Sequence, residues 1–167
     1  MHLSTSRVAS VLFTALFLLN AGTVSVNGAD PIAIAHRGLL RHAPENTLPA
    51  FAVCLELGMG FELDIRTTKD GHLVVLHDDS VKRTTDGPAR SVRDMTLAEI
   101  QQLDAGTWFG QSFAGLTVPT LEETLSLVKE RKCGVTIIAL NVKQLNRDGE
   151  AKLVALVERY QLLEESF

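Results

Sequence analysis

Glu62 and Asp64 stand two residues apart in the run Phe61-Glu62-Leu63-Asp64-Ile65, where apolar and charged residues alternate. In an extended strand such residues share a face, with alpha carbons about 6.6 Å apart. Two carboxylates held so close repel one another, and the pair makes a bite able to close on one hard divalent cation. A solvent-facing strand with ordinary charges is the plainer alternative and suits an antiparallel sheet. A strand inside an α/β fold is covered on both faces, which turns the charged face inward.

Asp70-Gly71 separates this run from a second one, Leu73 to Leu76, and marks a hairpin. With Asp70 and Gly71 as the two central turn residues, His77 falls opposite Asp64 and on the same face. His36, Arg37 and Gly38 follow directly on a short apolar run, and in parallel α/β folds the site lies beyond the carboxyl ends of the strands. Arginine suits a phosphate or carboxylate oxygen, two histidines suit one general acid and one general base near neutral pH, and Gly38 allows close backbone approach to a ligand. A cation-dependent sugar-binding or structural module would explain the carboxylates but leaves both histidines without a task.

The elements that must position these groups follow from pattern. Pro31 to Ala35 reads as a short buried strand. Leu48, Phe51, Ala52 and Leu55 recur at helical spacing, which predicts a helix over 47–57 with Asn46 or Thr47 as cap and Gly58 as stop. Glu45 and Asn46 are then read as organising that helix start. A polar stretch of about 40 residues, 78–119, exceeds an ordinary connection and reads as a functional insertion. Within it a capping box, Thr96 to Glu99, opens a short helix to about Leu103, and a second box, Thr120 to Glu123, opens a helix to about Arg131. A β-branched run over 135–140 predicts a buried strand leading to Asn141 and Lys143, followed by an amphipathic helix over 148–160. Strands alternating with helices indicate an α/β fold with a parallel sheet.

Composition bounds the function classes. Of 167 residues 46% are hydrophobic and 22% charged, and the net charge of −4 supplies no basic field for nucleic acid. Val8 to Leu19 is an apolar run of 12 after the single basic Arg7, the core of a signal peptide over 1–28 and shorter than the roughly 20 residues of a membrane span. The expectation is a secreted or periplasmic protein with no stable membrane span after cleavage near Gly28 or Ala29. Cys54 and Cys133 read as free thiols.

Taken in order, His36-Arg37-Gly38, Pro44-Glu45-Asn46-Thr47, Glu62-Leu63-Asp64, Lys69-Asp70-Gly71 with His77-Asp78, and Pro119-Thr120-Leu121-Glu122-Glu123 resemble the glycerophosphodiester phosphodiesterases, relatives of the phosphatidylinositol-specific phospholipases C on a TIM barrel. The resemblance implies a domain over 31–167 forming the N-terminal part of a (β/α)8 barrel, with about four strands. It implies an acid and base pair in His36 and His77, a phosphate ligand in Arg37, and cation ligands in Glu62 and Asp64. The reaction implied is hydrolysis of a small-molecule glycerophosphodiester to glycerol 3-phosphate and an alcohol, assisted by Mg²⁺ or Ca²⁺. Where the family has Glu, one hydrophobic residue and Lys, this chain has Asn141-Val142-Lys143. Asn141 then takes the place of a cation ligand with one charge fewer, and Lys143 stands ready for the phosphate. The mature 139 residues fall short of the roughly 250 of a TIM barrel, so the chain is expected to be a fragment of a longer product. The rival expectation is an inactive or truncated relative that only binds a phosphodiester head group.

Overall fold

The computed structural model describes residues 33–132 and 136–162. The signal-peptide reading over 1–28, the first residues of the expected strand at 31–32, Cys133 and the expected strand start at Val135 lie outside the described residues. No helix among the described residues is long and apolar enough to cross a membrane.

The strands are β1 (Ile34–Ala35), β2 (Gly60–Thr67), β3 (Leu73–Val75) and β4 (Ile138–Gln144), and the helices are α1 (Leu48–Glu56), α2 (Leu97–Ile100), α3 (Leu121–Arg131) and α4 (Arg147–Arg159). β2 is the hub. Phe61 pairs with Ala35 on one side and Ile138 on the other, and Ile65 pairs with Val75 and Val142. β4 therefore runs along one edge of β2, parallel to it, while parallel β1 and antiparallel β3 share the other edge. The alternation in β2 explains its place: Phe61, Leu63 and Ile65 are wholly buried with Phe51, Leu121, Leu125 and Val157 of the helices. Glu62, Asp64 and Arg66 face the other way.

The hairpin register differs from expectation by one residue. The pairs are Ile65 with Val75, Arg66 with Val74 and Thr67 with Leu73, and Leu76 N–H donates to Asp64 O at 2.9 Å, so Leu76 rather than His77 stands opposite Asp64. The loop holds three residues, Lys69, Asp70 and Gly71, because only Gly71 takes a left-handed backbone, at φ 78°. Asp70 is unavailable for a two-residue turn: its Oδ1 accepts from the Thr68 hydroxyl at 2.6 Å and from Leu97 N–H at 3.0 Å, at the start of α2.

Both capping boxes are formed, at Thr96 with Glu99 and at Thr120 with Glu123. α2 stops after one turn at Ile100, short of Leu103. β4 runs through Gln144, past the apolar run, since the pairing with β2 carries Asn141 and Lys143 inside the strand, with a bulge between Ile65 and Arg66. The insertion encloses an aliphatic core of its own, built from Val81, Val92, Met95, Ile100 and Val118 together with Val74 and Leu76 of the hairpin. Trp108, Phe109 and Phe113 stack edge to face outside that core. Cys54 is a buried free thiol.

Candidate active site

Arg37 leaves β1 with its backbone in the left-handed region, φ 57°, a conformation that costs a non-glycine residue about 1–2 kcal/mol. Contacts on every side hold it there. Its N–H donates to Glu62 Oε2 at 2.9 Å and its carbonyl accepts from Asn46 N–H at 3.0 Å. Nη1 donates to Glu45 Oε1 at 3.0 Å, and Nε lies 3.5 Å from Asp64 Oδ2. Gly38, at φ 85°, serves a different purpose from the one expected: a Cβ there would lie 2.7 Å from that of Ala50, so the glycine lets α1, not a ligand, come close.

Asp64 is fully buried at the centre of the group. Its Oδ2 accepts from Asn46 Nδ2 at 2.8 Å and its N–H donates to Asn46 Oδ1 at 3.2 Å. Lys143 Nζ lies 3.3 Å from Oδ1, which accepts no hydrogen bond. Asn141 is the register neighbour of Asp64 on β4, and its Nδ2 donates to Glu62 Oε1 at 2.9 Å. The His36 ring, largely exposed, places Nε2 4.0 Å from Glu62 Oε2. The structure thus brings His36, Arg37, Glu62, Asp64, Asn141 and Lys143 to one face of adjoining strands, where two carboxylates meet two side-chain cations.

His77 belongs to the same network by a longer route. Its Nδ1 is 2.7 Å from Asp78 Oδ1, and with Asp78 ionised Nδ1 carries the proton, which leaves Nε2 as the free ring nitrogen. Hydrogen bonds from Arg83 foremost, and then from His77, hold the Asp78 carboxyl far below the usual carboxylate range against partial burial. Arg83 also grips Glu45, whose burial alone would raise its pKa; the bonds from Arg83 and Arg37 outweigh that and lower it.

The sequence reading missed Glu45 and Asn46 as members of the site, having spent them on the helix start. Asn46 does not cap α1, and Thr47 turns its hydroxyl back to Pro44 O at 2.6 Å. The signal was present in the Pro44-Glu45-Asn46-Thr47 motif, beside a helix that Thr47 alone could begin. Arg83 carried no signal, being one arginine in a long polar stretch. A groove of about 520 Å³ lined by His72, Lys152 and Arg159 among others shares no residue with the group.

Among the described residues no three His, Cys, Asp or Glu side chains gather as a metal site. Beside the two carboxylates the face carries the side-chain amide of Asn141, bonded to Glu62. The donor types nevertheless fit a hard cation: two carboxylates, one with a buried oxygen that accepts no hydrogen bond, beside a side-chain amide.

Residues 36–165 match the model of the Glycerophosphoryl diester phosphodiesterase family. Over 134 residues the chain is 46% identical to the glycerophosphodiester phosphodiesterase of Caldanaerobacter subterraneus, covering 80% of this chain and 55% of that one. Among solved structures, a glycerophosphodiester phosphodiesterase from Agrobacterium tumefaciens matches with a TM-score of 0.73 at 36% identity, over 81% of this chain and 56% of that one. A phosphodiesterase from Oleispira antarctica, in complex with the product sn-glycerol-3-phosphate, matches at 0.69 and 34%, over 78% and 53%. The fold is a partial TIM barrel, and the chain spans little more than half the length of these relatives.

Proposed function

The chain belongs to the glycerophosphoryl diester phosphodiesterase family, and from that premise we propose that it hydrolyses glycerophosphodiesters, such as deacylated phospholipid head groups, to glycerol 3-phosphate and an alcohol. The observation that carries this reading is the meeting of Arg37, Lys143, Glu62, Asp64 and Asn141 beside His36 on one sheet face.

In this reading Arg37 and Lys143 hold the non-bridging phosphate oxygens, the first through its planar fork and the second as a point charge. His36 and His77 share the proton traffic. One takes a proton from the attacking water as its oxygen bonds to phosphorus, and the other gives a proton to the alcohol oxygen as its bond to phosphorus breaks. Glu62, Asp64 and Asn141 would hold Mg²⁺ or Ca²⁺. When bound, the cation polarises a phosphoryl oxygen and offsets its charge. The setting we assign is outside the cytoplasm, after removal of residues 1–28, and N-terminal sequencing of exported protein should then begin near Ala29 or Asp30.

Asn141, in place of a third carboxylate, favours one second reading, a relative that binds the phosphodiester without cleaving it. Incubation of the chain with glycerophosphocholine and glycerophosphoethanolamine, with Mg²⁺ or Ca²⁺, tests both. Release of glycerol 3-phosphate that disappears in His36→Ala and His77→Ala supports the enzyme. Calorimetric binding of glycerol 3-phosphate without turnover supports the second reading, and neither release nor binding overturns the assignment.

A further inference from the structure

We propose that Arg83 is a positioning residue, which fixes the ring of His77 and the guanidinium of Arg37 at once and so ties the insertion to both parts of the site. The proposal rests on the phosphodiesterase reading for what His77 and Arg37 do, though not for how they are held.

Arg83 ends the short 3-10 helix Val81–Arg83. That turn is anchored from below: Val81 is wholly buried in the insertion's core, and the Thr85 hydroxyl donates to Val81 O at 2.7 Å. From this base the guanidinium reaches two other segments. Nε and Nη2 donate to Asp78 Oδ2 and Oδ1 at 2.6 and 3.0 Å. Nη1 and Nη2 donate to Glu45 Oε2 and Oε1 at 2.9 and 2.7 Å. Each carboxylate passes the constraint on, Asp78 to His77 Nδ1 at 2.7 Å and Glu45 to Arg37 Nη1 at 3.0 Å. Among the described residues, the other charged group bonded to His77 is Arg66, whose guanidinium donates to the His77 carbonyl and leaves the ring alone.

The form of the contact argues for direction rather than adhesion. The Arg83 side chain is 45% exposed, and ion pairs at such exposure add little to folding. Two forked contacts from one planar group do fix orientation, and a lysine ammonium cannot reproduce them. Asp78 is itself partly exposed and would otherwise be free to turn to solvent, releasing the His77 ring to exchange tautomers.

The test follows the histidine ring nitrogens by ¹⁵N NMR in the whole chain, which has five histidines, with His77 assigned by loss of its signals in His77→Gln. The neutral His77 ring should carry its proton on Nδ1, and Arg83→Gln should turn it into a mixture of tautomers. Arg83→Lys, which keeps the charge, should not restore the single tautomer. In the hydrolysis assay Asp78→Asn should lower kcat by about 10- to 100-fold and Glu45→Gln should raise KM by roughly tenfold, while Arg83→Gln does both. Arg83→Gln should add no further loss of kcat to Asp78→Asn, since both break one chain of contacts. Arg90→Gln, which breaks an ion pair with Glu99 elsewhere in the insertion, is the control for general loosening and should leave the His77 tautomer and kcat unchanged. An unchanged His77 tautomer in Arg83→Gln, full rescue by lysine, or additive losses of kcat would each overturn the proposal. If the unsubstituted chain hydrolyses nothing, the functional reading fails while the tautomer experiment still decides the role of Arg83.

Discussion

Asn46 and Asp64 exchange two hydrogen bonds across the site, amide to carboxylate at 2.8 Å and backbone N–H to amide oxygen at 3.2 Å. Both residues are buried. Asn46 also sits at φ 56°, a left-handed conformation that asparagine tolerates better than other side-chain-bearing residues. One residue thus turns the chain into α1 and supplies the partner that a dry carboxylate requires.

Asn46→Gly keeps the backbone and removes the bonds, so it should cost about 1.5–3 kcal/mol by the loss of hydrogen bonding to a buried charge. Asn46→Ala loses the same bonds and adds about 1 kcal/mol for the left-handed backbone. Urea denaturation should therefore rank the original above glycine and glycine above alanine. An alanine variant as stable as the glycine variant would remove the backbone part of this account.

Gly38→Ala should destabilise by about 2 kcal/mol or more, because it meets both a left-handed backbone and the flank of α1. Gly58→Ala is the companion. Gly58 has a similar φ of 64° with nothing within 4 Å of an added Cβ, so it should lose only the backbone part. Equal thermal midpoints for the two variants would show that contact with Ala50 carries no weight.

Acid should weaken the Glu45 contacts before it unfolds the chain. The Glu45 carboxyl is lowered in the fold from its ordinary 4.5, so its contribution is present above that value and is lost as pH falls through the folded pKa. Glu45→Gln should consequently be less stable than the original at pH 6 and approach it as the pH falls below 4.5 and through the lowered folded pKa. Urea midpoints measured from pH 3 to pH 6 provide the check, and a gap independent of pH would contradict it.

Asn141→Glu should tighten divalent-cation binding at least tenfold, about 1.4 kcal/mol. Asn141 is the register neighbour of Asp64 and already touches Glu62, so a third carboxylate there adds charge in a partly buried site. Calorimetric titration with Mg²⁺ and Ca²⁺ reads the change directly, with Glu62→Gln as the variant expected to lose binding. An unchanged midpoint in Asn141→Glu would mean that no cation comes to this face.

Much of this arrangement was legible in the sequence because it is written in local chemistry. The Thr-to-Glu capping boxes at Thr96 and Thr120 are formed as read, and the alternation around Glu62 and Asp64 does separate a greasy face from a charged one. What escaped depends on contacts between distant segments. Whether Asp70 closes a two- or a three-residue loop was decided by Leu97 N–H, 27 positions away. β4 extends beyond its apolar run because β2 supplies partners for Asn141, and hydrophobic pattern is blind to a strand that carries a polar site. Asn46 read beside Thr47 as a candidate cap; Thr47 takes the cap position, and the partner of Asn46 lies on β2.

Val74 and Leu76 belong to the hairpin, yet their side chains help fill the core of the insertion, and the chain returns along β3 with Val75 N–H donating to Pro119 O at 2.9 Å. The insertion is therefore no interchangeable cassette. Grafting a shorter loop from a relative between His77 and Pro119 would strip the cover from two aliphatic residues and take Arg83 away with it.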